Sequence, residues 1–252
     1  MFNMNNIGKR VCIVKDNPKY NKKAIYVDAD ADSDADEGFS SFHLDQGQLQ
    51  LVPDPHTERQ IIYITGPSGS GKSYFTKEYI KEWQKMNRKG SIYVFSALKT
   101  DETLDEIKHL KRINIGDNLV EDDIQAEDLP EGSLCIFDDI DVISNKKVRD
   151  AVYNILNQIL EIGRHMKISC ICTNHLSTNG LYTKRILNEC AYIVFFPSAG
   201  ASRGMKYLLT EYMGFDRNMI RRVKKLKSRA VVYHKQYPNF ILSQKDIFLL
   251  ND

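Results

Sequence analysis

Eight consecutive residues in this chain have the types and the spacing needed to bind a phosphate chain. Residues 66–73 read GPSGSGKS and follow the apolar run 61–65. Glycines let the backbone fold so tightly that successive N–H groups converge on phosphate oxygens. Lys72 would add positive charge near the terminal phosphates, and Ser73 would offer its hydroxyl to Mg²⁺. The pattern predicts a phosphate loop whose binding residues are Gly66, Pro67, Ser68, Gly69, Ser70, Gly71, Lys72, Ser73 and Tyr74.

Two adjacent carboxylates form a second group of reactive side chains. Asp138 and Asp139 directly follow the apolar run 134–137. In sites that transfer a nucleotide's terminal phosphoryl group, one acid at a strand end holds Mg²⁺ and a second orients or deprotonates the attacking water. We therefore predict that Asp138 holds the metal together with Ser73 and that Asp139 activates water. A third acid, Asp141, is expected to cap a helix or to lie on the surface.

Two more candidates flank the predicted strand 167–173. Asn174 follows that strand and Arg164 precedes it. If the strand lies beside the one that carries the acids, the Asn174 amide can sense the γ-phosphate. Arg164 would then lie about 20–23 Å away at ~3.3 Å per residue, so we predict that it serves a neighbouring subunit's site as an arginine finger. His165 and His175 have no partners at metal-binding spacing, and ordinary polar roles are expected for both.

From residue 60 onward, predicted strands alternate with predicted helices, and these elements must position the candidate residues. Such alternation is typical of a mostly parallel sheet flanked by helices. Strands are predicted at 61–65, 91–96, 134–138, 167–173 and 191–196, with a terminal hairpin at 229–234 and 240–242. Helices are predicted from the phosphate loop to about residue 87, at 101–110 with Thr100 as cap, at 148–162, at 203–213 and at 216–227. Residues 117–131 are strongly acidic and are expected to form a surface connection.

Residues 1–55 differ from the rest and are predicted to be a small β-rich module, with residues 56–252 forming the main domain. The module shows strand-like runs and a proline-containing linker, at 10–14, 23–27, 48–52 and 53–55. Its acidic run 28–37 has carboxylates spaced as in a calcium loop, but Ser33 stands where such a loop needs glycine. A solvated acidic loop is therefore the preferred interpretation.

Charge is unevenly distributed along the chain, although the net charge of its 252 residues is only +2. Residues 203–252 hold 11 Lys and Arg against 4 Asp and Glu, whereas residues 1–59 hold 7 against 10. A basic C-terminal part suits a polyanionic partner, and a solvated basic helix face explains it about as well.

The five cysteines are scattered and mostly lie in apolar runs. This distribution indicates reduced core residues of an intracellular protein rather than a disulfide framework. No apolar run approaches the ~20 residues that span a bilayer, so we expect that the chain is not itself transmembrane.

Taken together, these segments resemble the FtsK–HerA superfamily of ATPases. Within it, the chain is most similar to the genome-packaging ATPases of large eukaryotic DNA viruses and virophages, including the poxvirus type. The resemblance covers about residues 58–250 and rests on GPSGSGKS at 66–73, CIFDDID at 135–141, GRHMKIS at 163–169, CTNHLSTNG at 172–180 and KSRAVVYHKQYP at 227–238. In that family a polar residue, often Gln, stands where this chain has Asn174, and an arginine placed like Arg164 acts across the subunit interface.

The resemblance implies an α/β fold of the P-loop NTPase type, RecA-like or FtsK–HerA-like, with helices flanking a mostly parallel sheet. It also implies a homo-oligomeric ring, a pentamer or hexamer, that uses ATP and Mg²⁺ to drive double-stranded DNA into a capsid. Capsid or internal-membrane proteins are further implied partners, and the implied location is the host cytoplasm or viral factory, with association with the virion. A translocase grips phosphates rather than bases, and the candidate contacts are Lys99, Lys184, Arg185, Arg203, Lys206, Arg221, Arg222, Lys224, Lys225 and Lys227.

Two other functions stay open at this point. A nucleotide-kinase-like phosphotransferase can carry the same loop, although the acidic segment 117–131 makes a poor lid and paired aspartates favour water as the acceptor. A nucleotide-dependent assembly scaffold would bind ATP and recruit partners through residues 1–55 without turnover. Measuring phosphate release against nucleoside diphosphate production would distinguish an ATPase from a kinase. The Asp139→Asn variant would distinguish an ATPase from a scaffold, because a scaffold should tolerate that change.

Overall fold

The computed structural model describes residues 1–30, 38–199 and 203–250. The strands, numbered in chain order, are β1 (Phe2–Asn3), β2 (Lys9–Lys15), β3 (Ala24–Val27), β4 (Ser41–His43), β5 (Gln48–Leu51), β6 (Ile61–Thr65), β7 (Ile92–Ser96), β8 (Leu110–Asn114), β9 (Leu134–Asp138), β10 (Ser169–Asn174), β11 (Tyr192–Phe195), β12 (Val231–His234), β13 (Phe240–Leu242) and β14 (Asp246–Leu249). The α-helices are α1 (Lys72–Met86), α2 (Asp117–Glu121), α3 (Lys146–Glu161), α4 (Leu181–Glu189), α5 (Arg203–Tyr207) and α6 (Arg217–Lys225).

Within these residues the main sheet has ten strands in the order β4-β14-β13-β12-β11-β6-β10-β9-β7-β8. The six strands from β11 to β8 run parallel, and the other four continue the sheet in antiparallel pairs. Asn174 pairs with Thr65, and Cys172 pairs with Phe137. The carboxyl ends of β6, β9 and β10 therefore meet at one edge, and the predicted mostly parallel sheet with flanking helices is confirmed.

The two faces of the sheet are covered by different elements, because successive side chains of a strand point to opposite faces. Ile62 and Ile64 pack with α1 residues such as Trp83, whereas Tyr63 packs with α3 residues such as Leu156. Every residue of β6, β9 and β10 is buried as a result. Burial on both faces explains why these strands read as continuous apolar runs.

A stacked aromatic pair supports the acidic strand end. Phe95 of β7 and Phe137 of β9 lie side by side with ring centroids 4.7 Å apart and are fully buried. Such a pair adds about 0.5–1.5 kcal/mol beyond its buried area. It holds the two strands together one residue before Ser96 and Asp138.

The first 55 residues contain a four-stranded sheet of order β1-β3-β2-β5. Its buried residues, including Val14 and Leu51, share one apolar core with α1 and with Tyr192 and Phe240 of the main sheet. Strand β4 is not part of the small sheet and pairs with β14 of the main sheet. The division at residue 55 stays a prediction, and most of the acidic run lies outside the described residues.

The predicted helix at 101–110 is wrong. Asp101 accepts hydrogen bonds from the backbone N–H groups of Thr103 and Leu104 at 2.8 Å each, which caps a single turn and replaces Thr100 in that role. His109 adopts a left-handed φ of 63°, and β8 then pairs in parallel with β7. Strand β8 begins only at Leu110, after these turns, and its mixture of partly buried and exposed residues suits its place at the edge of the sheet.

The remaining element predictions agree with the structure with small changes. The predicted helix 203–213 is divided into α5 and a π-helical turn, Leu208–Tyr212, and α6 is capped by the carboxylate of Asp216. The terminal hairpin turns around a cis Tyr237–Pro238 bond. Helix α4 and strands β1, β4 and β14 have no counterpart among the predictions. The segment 117–131, predicted as a surface connection, contains α2, and its residues Leu119, Ala126 and Leu129 are buried in the core.

The predicted state of the cysteines is confirmed, because all five are free and buried. Burial raises the pKa of each thiol, to about 12 for Cys170 and Cys190. In the described part of the chain, no helix combines the length and the apolar character required to cross a bilayer.

Candidate active site

The phosphate loop connects β6 to α1 at the carboxyl edge of the sheet. Gly69 and Gly71 adopt positive φ angles of 73° and 114°, which residues other than glycine rarely adopt. A Cβ atom on Gly66 would lie 2.7 Å from the ring of Phe196. The N–H of Gly66 donates to the carbonyl of Asn174 at 3.1 Å. The three glycines are therefore required by backbone conformation and by close packing.

Lys72, the first residue of α1, is only 6% exposed. Its Nζ lies 3.0 Å from the carbonyl oxygen of Gly66 and 3.3 Å from Oδ1 of Asp139. A buried ammonium requires such oxygen partners, because the loss of hydration is costly. The structure thus brings together the predicted lysine and the predicted water-activating acid.

The other predicted loop residues differ in exposure. Pro67 and Ser68 are exposed at the loop tip, Ser73 is half-buried, and the Tyr74 ring is 58% exposed. Within the described residues, the buried hydroxyl of Ser70 has no hydrogen-bond partner. An unpartnered buried hydroxyl, a buried lysine and a glycine-dependent turn fit a site that receives phosphate oxygens.

Asp138 ends β9 and is 5% exposed. Its Oδ1 accepts from the Thr173 hydroxyl at 3.0 Å, and its Oδ2 accepts from the Ser96 hydroxyl at 3.2 Å. Burial raises the pKa of the Asp138 carboxyl, the nearby charge of Asp139 raises it further, and the two hydroxyl groups oppose this effect. A divalent cation would favour the charged form of this carboxylate, so its chemistry fits a magnesium ligand.

Asp139 occupies a left-handed backbone conformation with a φ of 48°. Its N–H donates to the Thr173 hydroxyl at 2.9 Å, and its Oδ2 lies 2.8 Å from Nε2 of His175. Its Oδ1 is the atom that contacts Lys72. The carboxylate is therefore held from both sides and remains 26% exposed, which leaves it open to solvent.

Two neighbouring residues were missed as site residues in the sequence. Thr173 contacts both acids, and His175 contacts the second one. Thr173 could have been found from strand periodicity, because it points to the face opposite the one that carries Cys172 and Asn174. For His175 the sequence contains no comparable signal.

Asn174 ends β10 and is 1% exposed. Its Nδ2 donates to the Tyr63 hydroxyl at 3.3 Å, and that hydroxyl donates in turn to the Leu176 carbonyl at 3.0 Å. Burial raises the pKa of Tyr63 well above its usual value, so the phenol stays neutral and can donate. The sensor role of Asn174 stays a prediction.

Asp141 neither caps a helix nor lies on the open surface. It belongs to the 3₁₀ turn Ile140–Val142 and accepts backbone N–H bonds from His175 at 3.1 Å and Leu176 at 2.8 Å. It therefore ties the turn after β9 to the turn after β10, which keeps the two halves of the site in register.

Arg164 lies at the opposite, amino-terminal edge of the sheet. It lines a cavity of about 550 Å³ together with Arg59, Gln60 and Glu189. Arg59 donates to the carbonyls of Ile159 and Leu160 at the end of α3. The structure does not bring Arg164 to the phosphate loop of its own chain, and its role in a neighbouring subunit stays a prediction.

Comparison with known proteins adds a relative and a fold. No protein-family model matches the chain. The Sputnik virophage protein described as "Uncharacterized protein V3" is 39% identical over 225 residues, which cover 88% of this chain and 88% of that protein.

Two solved structures share the fold at a TM-score of 0.50. The genome packaging NTPase B204 from Sulfolobus turreted icosahedral virus 2, in complex with AMPPCP, is 15% identical, and the match covers 74% of this chain and 98% of that protein's chain. EssC (ATPases 2 and 3) from Geobacillus thermodenitrificans is 12% identical, and the match covers 84% of this chain and 44% of that protein's chain. With the virophage relative matched over most of its length, the chain belongs to one family with it, and it shares the fold of these two solved ATPase structures.

Proposed function

We propose that this protein is an ATP-hydrolysing translocase that drives double-stranded DNA into a viral capsid as a pentameric or hexameric ring. The observation that carries the proposal is the 3.3 Å contact between Lys72 of the phosphate loop and Asp139 of the acidic strand end. The contact supports one site in which Lys72 binds phosphate and Asp139 activates water. The fold shared with the genome packaging NTPase B204 supports the proposed DNA substrate, and the five buried thiols support an intracellular location in host cytoplasm or viral factory.

The nucleotide is held in two places in this proposal. The loop backbone from Gly66 to Gly71 and Lys72 bind the β- and γ-phosphates. The base enters an adjacent cavity of about 200 Å³, which begins at Gly71 and is lined by Tyr74, Phe75, Gln50 and Gln244, among others. Aromatic faces and side-chain amides are the groups that recognise a nucleobase.

The chemical steps follow from the groups around the two acids. Ser73 and, through water, Asp138 would hold Mg²⁺, which would supply positive charge that offsets the negative charge of the phosphate oxygens. Asp139 accepts the proton of the attacking water, while Thr173 and His175 keep its carboxylate oriented. Lys72 stabilises the charge that develops on the transferred phosphoryl group. Asn174 reports the γ-phosphate state, and Arg164 of the next subunit stabilises the transition state.

Replacing Lys72 with methionine is expected to lower kcat/KM for ATP by about 10²- to 10³-fold, because it removes a preorganised cation from the transition state. Phosphate release and calorimetric titration with Mg-ATP measure the effect. Lys81→Met is the matched control, since Lys81 lies on the same helix and pairs with Glu78 at the surface, away from the phosphate loop. Hydrolysis by the Lys72 variant at the control's rate would rule out this site.

A basic groove between α5 and α6 is the surface that we propose for the DNA backbone. It encloses about 540 Å³ and has an apolar floor that includes Met205 and Val223. The cations at its rim come from both helices and are Arg203, Lys206, Arg217, Arg221 and Lys224. Cations without base-reading side chains suit contact with phosphates. Of the other candidates, Arg185 contacts Glu161 at 2.6 Å and is already paired.

Removing two of these cations in an Arg221→Ala, Lys224→Ala variant is expected to weaken binding of every duplex to a similar extent. The slope of log K against log salt should become shallower by about 1 for each DNA phosphate that the variant no longer neutralises. Duplex binding measured over a salt series checks this. Lys147→Ala, which removes an exposed cation of α3, should leave the slope unchanged. An unaltered slope in the double variant would place the DNA elsewhere.

The decisive experiment for the function measures ATP hydrolysis with and without duplex DNA, together with the mass of the protein in solution. We expect phosphate as the product, stimulation by DNA, and activity that appears with the oligomer. Formation of a nucleoside diphosphate from a monophosphate acceptor would indicate a kinase instead. Tight binding of Mg-ATP without turnover would indicate a scaffold.

A further inference from the structure

One arginine from the C-terminal part of the chain, Arg229, contacts the phosphate loop and also lines the cavity proposed for the base. Nε of Arg229 donates to the Ser70 carbonyl at 2.7 Å, and its Nη2 donates to the Gly69 carbonyl at 2.7 Å. The guanidinium thus binds two consecutive carbonyl oxygens of the loop. Arg229 is 159 residues from Ser70 in sequence, so the contact forms only in the folded chain.

The carbonyls that Arg229 binds matter for phosphate binding because each shares a peptide group with an N–H group of the loop. The C=O and N–H groups of a trans peptide point in opposite directions. A guanidinium that holds the Ser70 carbonyl therefore fixes the N–H of Gly71 on the opposite side, where a phosphate loop presents its donors. A Cβ atom on Gly71 would lie 3.2 Å from Nε of Arg229, so the arginine packs directly over this peptide.

The arginine is itself anchored by the terminal strands. Its backbone N–H donates to Oε1 of Gln244 at 3.2 Å, and the N–H of Gln244 donates to the Ser228 hydroxyl at 3.0 Å. The Gln244 carbonyl accepts from the N–H of Leu49 at 2.8 Å. Arg229 therefore stands on a turn that joins α6, the last strands and β5.

The charge of Arg229 has no acidic counterpart in the folded regions described above. Within those residues no carboxylate lies within ion-pair distance of its guanidinium, which is exposed. Arg229 directs two donors to two carbonyls of the loop at 2.7 Å each, whereas Arg59 directs its donors to the carbonyls at the end of α3. The fork of donors fits the two carbonyls in a way that the single ammonium of a lysine cannot.

We propose that Arg229 is a positioning residue that holds the phosphate loop in its anion-binding conformation and so sets the affinity for nucleotide. This inference rests on the proposed ATPase function. Its prediction is that Arg229→Ala weakens binding of an ATP analogue by about 10- to 100-fold, the range expected for hydrogen bonds from a charged donor. The effect should appear mainly in KM, because the groups that activate water are untouched.

The test uses the full chain and a fluorescent ATP analogue. Arg229→Ala is compared with Arg229→Lys and with Lys147→Ala, which removes an exposed cation of α3. We expect the lysine variant to recover only part of the affinity, because it restores the charge without both hydrogen bonds. Ethylguanidinium should restore binding to the alanine variant, whereas ethylammonium at the same concentration should not. The Lys147 variant should bind as the wild type does.

Three results would overturn the inference. Wild-type affinity in Arg229→Ala would exclude a positioning role, and full recovery in Arg229→Lys would reduce the role to charge alone. A defect that ethylguanidinium does not relieve, accompanied by a lower Tm of the nucleotide-free protein, would show a purely structural role. If the wild type itself bound no nucleotide, the proposed function would fail first, and that outcome is distinct from the other three.

Discussion

Arg164→Ala is expected to lower kcat for ATP hydrolysis by about 10³- to 10⁵-fold, the range for loss of an arginine finger. Arg164 lies at the amino-terminal edge of the sheet beside Arg59 and Gln60, while Lys72 and Asp139 lie at the carboxyl edge. A residue in that position can stabilise the transition state only in another subunit. Binding of Mg-ATP to the isolated chain should therefore be unchanged, and phosphate release by the assembled protein should be lost.

Mixing two inactive variants tests whether Arg164 acts between subunits. Arg164→Ala retains an intact phosphate loop, and Lys72→Met retains an intact arginine, so mixed rings contain some complete sites. We expect partial activity in the mixture and none in either variant alone. Lys167→Met is the matched control, since Lys167 pairs with Glu131 at the surface nearby. A mixture without activity, or a dilute monomer with the full rate, would contradict catalysis across the interface.

Asp139→Asn is expected to lower kcat by about 10²- to 10⁴-fold while leaving Mg-ATP binding intact, because the amide cannot accept the proton of the attacking water. The change should preserve the backbone, since asparagine also tolerates the left-handed conformation seen at a φ of 48°. It keeps a hydrogen-bond acceptor for Lys72 but removes the charge between that lysine and His175.

Single-turnover phosphate release and equilibrium binding separate these two quantities. Asp150→Asn on the exposed face of α3 removes a carboxylate without touching the site and should behave as the wild type. Unchanged turnover in Asp139→Asn would favour the scaffold function. Loss of both binding and turnover would mean that Asp139 mainly compensates the charge of the buried Lys72.

The fold of the central region could be predicted from sequence because its signals are local. The loop 66–73 needs only glycines, a lysine and a serine at set spacing between a strand and a helix. The continuous apolar runs that became β6, β9 and β10 follow from burial on both faces of the sheet. The helical expectation at 101–110 was wrong because Asp101 caps only a single turn and His109 adopts a left-handed φ of 63°, so the chain turns before β8 begins at Leu110. The pairing of β8 with β7 is a contact that no local pattern shows.

The candidate site likewise has parts that the sequence predicts locally and parts that only the tertiary structure shows. The sequence by itself determined the phosphate loop and the acidic pair, since each is a contiguous segment whose backbone and spacing carry the chemistry. Only the tertiary structure decided that Thr173 joins both acids, that Asp141 ties the neighbouring turn, and that Arg229 reaches the loop from the far end of the chain. The register between strands and the packing of side chains set these contacts, and both depend on segments that lie far apart in sequence and meet only when the sheet has formed.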